Sequence, residues 1–320
     1  MPCLALAAVA ITLTIPLWVP VTLAADAVRG RFRFPLTRLL AFGVCWTWIE
    51  LAGVTRSVIA WMTGSAHDDA RQYELMRWWA GALMRALTVT VGIRPRLERP
   101  HELAGGNAVV VARHASLADS LLSAWAVCVE ANLRPRYVLK KELLADPCLD
   151  IVGLRIPNHF LDREATDGTA ELSALRRLGG GVGPGIVAVI FAEGTRANDQ
   201  KRARALDKIR ERDADRADRL SGLRRLLPPR PAGTRALLEG APDADVVLAW
   251  HTGFDGLDSF GGMLRRLAEP LPPVRFVPRR VPRAEIPTDD FETWLDDQWL
   301  RLDREVDAAL RASGSREVQG

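Results

Sequence analysis

The stretch Ala108-Val109-Val110-Val111-Ala112-Arg113-His114-Ala115-Ser116-Leu117-Ala118-Asp119 sets the reading of this chain. A run of small and β-branched apolar residues reads as a buried strand. A polar turn follows. Leu117 to Val129 then reads as an apolar helix with Ser116 as its N-cap. The turn also carries chemistry, because a histidine takes a proton near neutral pH and a carboxylate on its far ring nitrogen fixes its tautomer. On one continuous helix His114 and Asp119 sit about 140° apart and do not meet. They meet if His114 lies in the loop and Asp119 in the first helical turn. The same residues fit a plainer arrangement, since Ser116-x-x-Asp119 approaches a capping box with an acid favoured at the helix N-terminus.

A second strand-like run, Ile186 to Phe191, ends in Glu193-Gly194-Thr195-Arg196, a polar turn with one fixed positive charge. One turn offers a base and the other an anion clamp. Together they suggest transfer chemistry on a hydroxyl near a phosphate.

Working outward, short strands alternate with helices. Residues 68–88 read as an amphipathic helix, with a strand expected from Val89-Thr90-Val91 onward. Further strands are expected at Tyr137–Leu139, His159–Leu161, Asp245–Trp250 and Val274–Val281, with helices at 167–178, 234–239 and 291–310. The 291–310 helix places Trp294, Leu295, Trp299, Leu302, Val306 and Leu310 on about one face, a core stripe. The sequence therefore predicts an α/β domain with a mixed central sheet flanked by helices. Gly179 to Gly185 precedes a strand and is no dinucleotide fingerprint. The charge-dense segment 199–225 reads as a solvated helical insertion.

The 320 residues are 48% hydrophobic, enough for a sizeable core, and the net charge of +4 does not by itself point to nucleic acid. Residues 1–25 contain no charged side chain, long enough to span a bilayer core. Arg29, Arg31, Arg33 and Arg38 follow, favouring a retained anchor with this flank on the cytoplasmic side. A cleaved signal peptide ending near Ala24-Ala25 is the competing reading. Leu39 to Met62 is also apolar, but Glu50 and Arg56 argue against a second crossing. The expected organisation is a membrane anchor over 1–64 (a helical hairpin, or a span plus an interfacial helix), an α/β domain over 65–311 and a flexible tail over 312–320. None of the four cysteines forms a CxxC pair and no HExxH occurs, so no metal site is expected.

Three segments in order resemble the glycerolipid acyltransferases typified by 1-acylglycerol-3-phosphate acyltransferase. The HxxxxD motif corresponds to His114–Asp119. A Lys-Glu-Leu to Asp-Arg segment corresponds to Lys141-Glu142-Leu143 through Asp162-Arg163. The FPEGTR motif corresponds to Phe191-Ala192-Glu193-Gly194-Thr195-Arg196. Arg113 stands where many members have Asn, and Ala192 where Pro is usual.

The resemblance implies acyl transfer from a thioester to a glycerol hydroxyl, with His114 as base and Asp119 as its orienting partner. It assigns Lys141, Arg163, Glu193, Gly194, Thr195 and Arg196 to the substrate-phosphate site. The cations there carry the charge, Glu193 holds Arg196 or the turn, or contacts the glycerol, and Gly194 and Thr195 offer backbone N–H groups. The donor is acyl-CoA or acyl carrier protein, with no further cofactor. The acceptor is lysophosphatidate or another lysophospholipid (lysophosphatidylinositol, lysocardiolipin) or a glycolipid, in membrane lipid at the cytoplasmic face. A non-catalytic lipid-binding protein is the alternative class. His159 and His251 fall outside these motifs and read as packing histidines. Ser116 as a covalent nucleophile is disfavoured, since no GxSxG elbow occurs.

Overall fold

The computed structural model describes residues 2–116, 118–145, 150–161, 168–257 and 259–317. Among them, seven strands form one sheet: β1 (Pro95–Leu97), β2 (Ala108–Ala112), β3 (Arg134–Lys140), β4 (His159–Leu161), β5 (Ile186–Phe191), β6 (Asp245–Thr252) and β7 (Val274–Val281). Their order is β1-β7-β6-β2-β5-β3-β4. Strands β2 to β6 run parallel, while β7 is antiparallel to β6 and carries β1 with it. The sheet is mixed, as its sequence pattern predicts.

β2 is the central strand and is buried along its whole length. Its pleat separates two cores. Ala108, Val110 and Ala112 face one layer, and Val109 and Val111 face the other. The first layer contains the helices α3 (Pro35–Met62), α4 (Asp69–Ala86) and α5 (Asp119–Ala124), preceded by α1 (Pro2–Leu13) and α2 (Ile15–Val28). The second contains α6 (Gly168–Gly179), α9 (Pro231–Gly240) and α11 (Phe291–Glu317), with α7 (Asp199–Arg210) and α8 (Ala214–Leu220) before α9; α10 (Phe260–Arg266), between β6 and β7, packs on the first layer through Met263.

No single described helix is long and apolar enough to cross a membrane, but α1 and α2 pass that test as a pair bent by 66°. Asp26 at the end of α2 caps α3, its Oδ2 accepting the Leu36 N–H at 3.0 Å. Both charges that interrupt the second apolar stretch have partners in the protein, Glu50 in the interior and Arg56 at the surface. Glu50 is fully buried and accepts from Trp79 Nε1 at 2.7 Å, and Arg56 lies 3.7 Å over the Trp78 ring.

Three local expectations are corrected. Val89-Thr90-Val91 is not a strand but part of a π-helical turn, Leu87–Val91, that extends α4. Thr88 and Thr90 donate back to the Met84 and Ala86 carbonyls, and Arg38 Nε donates to the Thr90 carbonyl, so the helix end is satisfied without a sheet partner. The charged segment 199–225 is two short helices, because Asp213 caps a second start through the Arg216 N–H. Helix α11 continues through Glu317, beyond the point where a tail was expected.

Candidate active site

The parallel strands β2, β5 and β6 end side by side, and a crevice beyond the carboxyl ends of such strands is where α/β sheets bind ligands. The sheet register aligns Ala112 with Phe191 on one side and Ala249 on the other. The segments that follow, 113–119, 192–197 and 251–255, therefore meet in space.

His114 lies in the loop and Asp119 opens α5, the arrangement that lets them meet. His114 Nδ1 is 2.9 Å from Asp119 Oδ2. The same oxygen accepts the Ala115 N–H at 2.5 Å and the Ser116 N–H at 2.8 Å, and Oδ1 accepts the Ser116 hydroxyl. One carboxylate thus meets both the His114 ring and the Ser116 N–H, but α5 begins at Asp119 with Ala118, not Ser116, as its N-cap, so the helix starts two residues later than the sequence pattern suggests. Asp119 is 1% exposed. Burial alone would raise its carboxyl, but the nearby His251 ring and the hydrogen bond from His114 hold it far below the usual range. With Nδ1 turned to Asp119, Nε2 is the His114 nitrogen left for a substrate.

The second motif turn holds this loop. Glu193 is buried, and its Oε1 accepts the His114 backbone N–H at 2.7 Å while Oε2 accepts the Leu227 N–H at 2.9 Å. Burial pushes the Glu193 carboxyl up to about 8 against the pull of those two N–H groups. The His114 carbonyl accepts from Ala197 N–H at 2.9 Å, and the Phe191 ring centroid lies 5.0 Å from the imidazole.

A cavity of about 340 Å³ opens beside this loop, lined by His114, Lys140, Gly194, Arg196 and Arg230 among others. Arg196 is half-buried there. Gly194 has φ +68°, a conformation that favours glycine, and a Cβ there would lie 3.0 Å from the Arg230 guanidinium, so a larger residue would strain the turn and push that arginine outward by a few tenths of an ångström. A second cavity of about 400 Å³ shares the walls Ser120, Leu139 and Leu143 with the first, and is otherwise lined mainly by apolar side chains, including Leu39, Phe42 and Trp46 of α3.

Several expected site residues sit differently. The Gly194 N–H closes its own turn onto the Phe191 carbonyl at 3.0 Å and is not available as an anion donor. Glu193 faces two backbone amides in the interior, not Arg196 or a substrate phosphate. Thr195 Oγ1 accepts from Lys201 Nζ at 3.3 Å. Lys141 is exposed in a 3-10 turn, while Lys140 lines the cavity. Arg163 and Asp162 lie outside the described residues.

Sequence reasoning missed Arg230, which sits in a Pro-rich segment that reads as a stiff link. It also missed His251, whose Nε2 lies 3.1 Å from Asp119 Oδ1. No local pattern marks either residue; only the register of β6 and the fold of 227–231 bring them in.

Residues 88–212 match the family model described as Acyltransferase, a span that includes the His114–Asp119 and Glu193–Arg196 turns. Among solved structures the chain is similar to the crystal structure of the 1-acyl-sn-glycerophosphate (LPA) acyltransferase PlsC from Thermotoga maritima. The two are 16% identical with a TM-score of 0.48, over 82% of this chain and 95% of that one. No curated protein matches the chain. Arg230, His251 and α11 lie beyond the span that the family model matches.

Proposed function

We propose that this acyltransferase moves a long-chain acyl group from a thioester donor to the free glycerol hydroxyl of lysophosphatidate. The observation that carries the reading is the position of the His114–Asp119 pair: a largely apolar cavity that also holds Arg196 and Arg230, and a second apolar cavity, share walls beside it. A phosphate-bearing amphiphile matches that division. Arg196 and Arg230 supply two fixed cations for a phosphate monoester, and the apolar cavity takes an acyl chain.

In this reading His114 Nε2 takes the hydroxyl proton as the oxygen attacks the thioester carbonyl. The carbon–oxygen bond forms, the carbon–sulfur bond breaks, and the proton passes on to the departing thiolate. Asp119 stabilises the imidazolium between those events. Acyl-CoA and acyl carrier protein present the same thioester, and either can serve as donor. The bent apolar pair α1–α2 anchors the protein at the membrane, with the arginines that follow favouring the cytoplasmic face.

The direct test is transfer by detergent-purified protein given acyl-CoA or acyl carrier protein and lysophosphatidate, beside His114→Ala. Product formation lost in the variant supports both reaction and base. No transfer from either donor, to lysophosphatidate or any other lysophospholipid, sinks the reading.

A further inference from the structure

We propose that His251 is a positioning residue, a second imidazole on Asp119 that keeps this carboxylate ionised and aimed at His114. The inference rests on the proposed role of His114 as the base.

The sheet delivers His251 to this place. β6 pairs with β2 in a register that aligns Ala249 with Ala112, and the Arg113 N–H extends the pairing by donating to the Ala249 carbonyl at 2.9 Å. His251, two residues on, therefore stands level with the His114 loop and on the same side of the sheet. The Arg113 guanidinium fixes it there, donating to the His251 carbonyl at 2.5 Å and to Asp255 Oδ1 at 2.8 Å. This gives a physical use to an arginine where asparagine was the expected residue.

His251 is 2% exposed, and neither ring nitrogen has a well-formed hydrogen bond among the described residues. Its Nε2 is close to Asp119 Oδ1, at 3.1 Å, on a line too bent for an ideal hydrogen bond. A buried imidazole with so few direct partners is costly for packing alone, where a leucine would serve. It becomes useful if its charge or N–H dipole offsets a buried carboxylate. Asp119 is such a carboxylate, and the other groups nearby do not finish the task. The Arg113 guanidinium is turned to Asp255, and the Glu193 carboxyl offers no positive charge to Asp119. The backbone N–H groups of Ala115 and Ser116 and the Ser116 hydroxyl help, as does His114 itself. The imidazole of His251 is the remaining cation-capable group on Oδ1.

The test uses the full-length protein with His251→Leu, which keeps bulk, and His251→Gln, which keeps an N–H donor. Without His251, Asp119 is less strongly held in its charged form, so it takes up a proton at higher pH. In His251→Leu, kcat is expected to fall about 10- to 100-fold with the acceptor KM little changed, and the acid limb of the pH–kcat profile to move to higher pH. His251→Gln should recover part of both effects.

A readout independent of activity is thermal unfolding against pH. A carboxyl held low in the folded state lends stability that is lost as pH falls through its folded value, and that loss should begin at higher pH in His251→Leu. In an Asp119→Asn background the same substitution should move nothing. If His251→Leu does not fold, His251→Asn, too short to reach Asp119, replaces it in the comparison with His251→Gln. Folded variants whose acid limb and pH-dependent unfolding match the parent overturn the proposal. A parent that transfers no acyl group defeats the base assignment instead, and the unfolding comparison still decides the role of His251.

Discussion

The backbone N–H of His114 donates to the Glu193 carboxyl at 2.7 Å, across 79 residues of chain. The turn at 193–196 therefore acts as a splint for the His114 loop as well as a wall of the adjoining cavity. Glu193→Ala orphans two buried N–H groups, those of His114 and Leu227, at about 1–3 kcal/mol each. Urea unfolding should show a total loss of about 2–6 kcal/mol, and acyl transfer should fall about 100-fold as the imidazole drifts. The carboxyl is raised to about 8 from an ordinary 4.5, so its contribution to stability is whole below about 4.5 and fades as pH rises through about 8. Glu193→Gln should remove that slope. An unchanged slope would show that Glu193 is not the group responsible.

Asp119 gathers its donors from the loop it serves, and its substitution separates orientation from folding. Asp119→Asn replaces one acceptor oxygen by an amide and presents a donor where His114 Nδ1–H needs an acceptor. The expected loss in kcat is about 10²–10⁴-fold, comparable to removing the base itself. Ser116→Ala should be far milder, because the hydroxyl is already spent on Asp119 and on the Ala118 N–H. Loss of all turnover in Ser116→Ala would revive the covalent nucleophile.

These features differ in how far they could be read from residues alone. β2 and its turn were legible because a buried strand and a polar loop that opens a helix both leave local patterns. Strand β7 and the start of α11 were legible for the same reason, through apolar periodicity. Val89 to Val91 misled, since β-branched residues favour strands only where a sheet edge receives them, and here Arg38 and the threonine hydroxyls close a helix end instead. Arg230 and His251 were illegible, because their place depends on the pairing of strands far apart in sequence. The charged segment 199–225 gave no sign that its acidic partners lie on α11.

That last relationship yields a prediction of its own. Asp303 on α11 accepts the backbone N–H groups of Arg224, Arg225 and Leu226 at 2.7–2.9 Å, and Trp299 Nε1 donates to the Leu227 carbonyl at 2.9 Å. The segment so held delivers the Leu227 N–H to Glu193, and through Glu193 the order reaches His114. Asp303→Ala should lower stability by about 1–3 kcal/mol for each donor left unsatisfied in the interior. It should also lower kcat although it touches no substrate. A variant with reduced Tm and full kcat at low temperature would show that this chain of contacts stops short of the base.

Leu6, Leu13, Leu17 and Val21 on α1 and α2 are 67–74% exposed, an apolar surface with no protein partner in the described chain. Leu13→Glu with Leu17→Glu puts two charges on that surface, where burial of a charged residue in a bilayer costs about 2.5–3.5 kcal/mol on insertion scales. The double variant should float with liposomes much less than the parent while keeping its unfolding transition in detergent. Undiminished flotation would move the membrane contact elsewhere, to the exposed end of α3 at Trp61 and Met62.

Arg196 and Arg230 line the same cavity from segments 34 residues apart, and their separate contributions can be read from acceptor kinetics. A charge-assisted hydrogen bond to phosphate is worth about 1.5–3 kcal/mol, or about 10- to 150-fold in affinity. If each arginine binds the acceptor phosphate equally in the ground and transition states, Arg196→Ala and Arg230→Ala should each raise the lysophosphatidate KM by that factor and leave kcat near the parent value. The two act on one anion, so the double variant should lose less than the product of the single losses. A monoacylglycerol acceptor, which carries no phosphate, removes the contact from the other side. With it, the parent and all three variants should converge to one low rate. A variant effect that persists with the uncharged acceptor would mean that the arginine supports the cavity wall or the 193–196 turn rather than the phosphate.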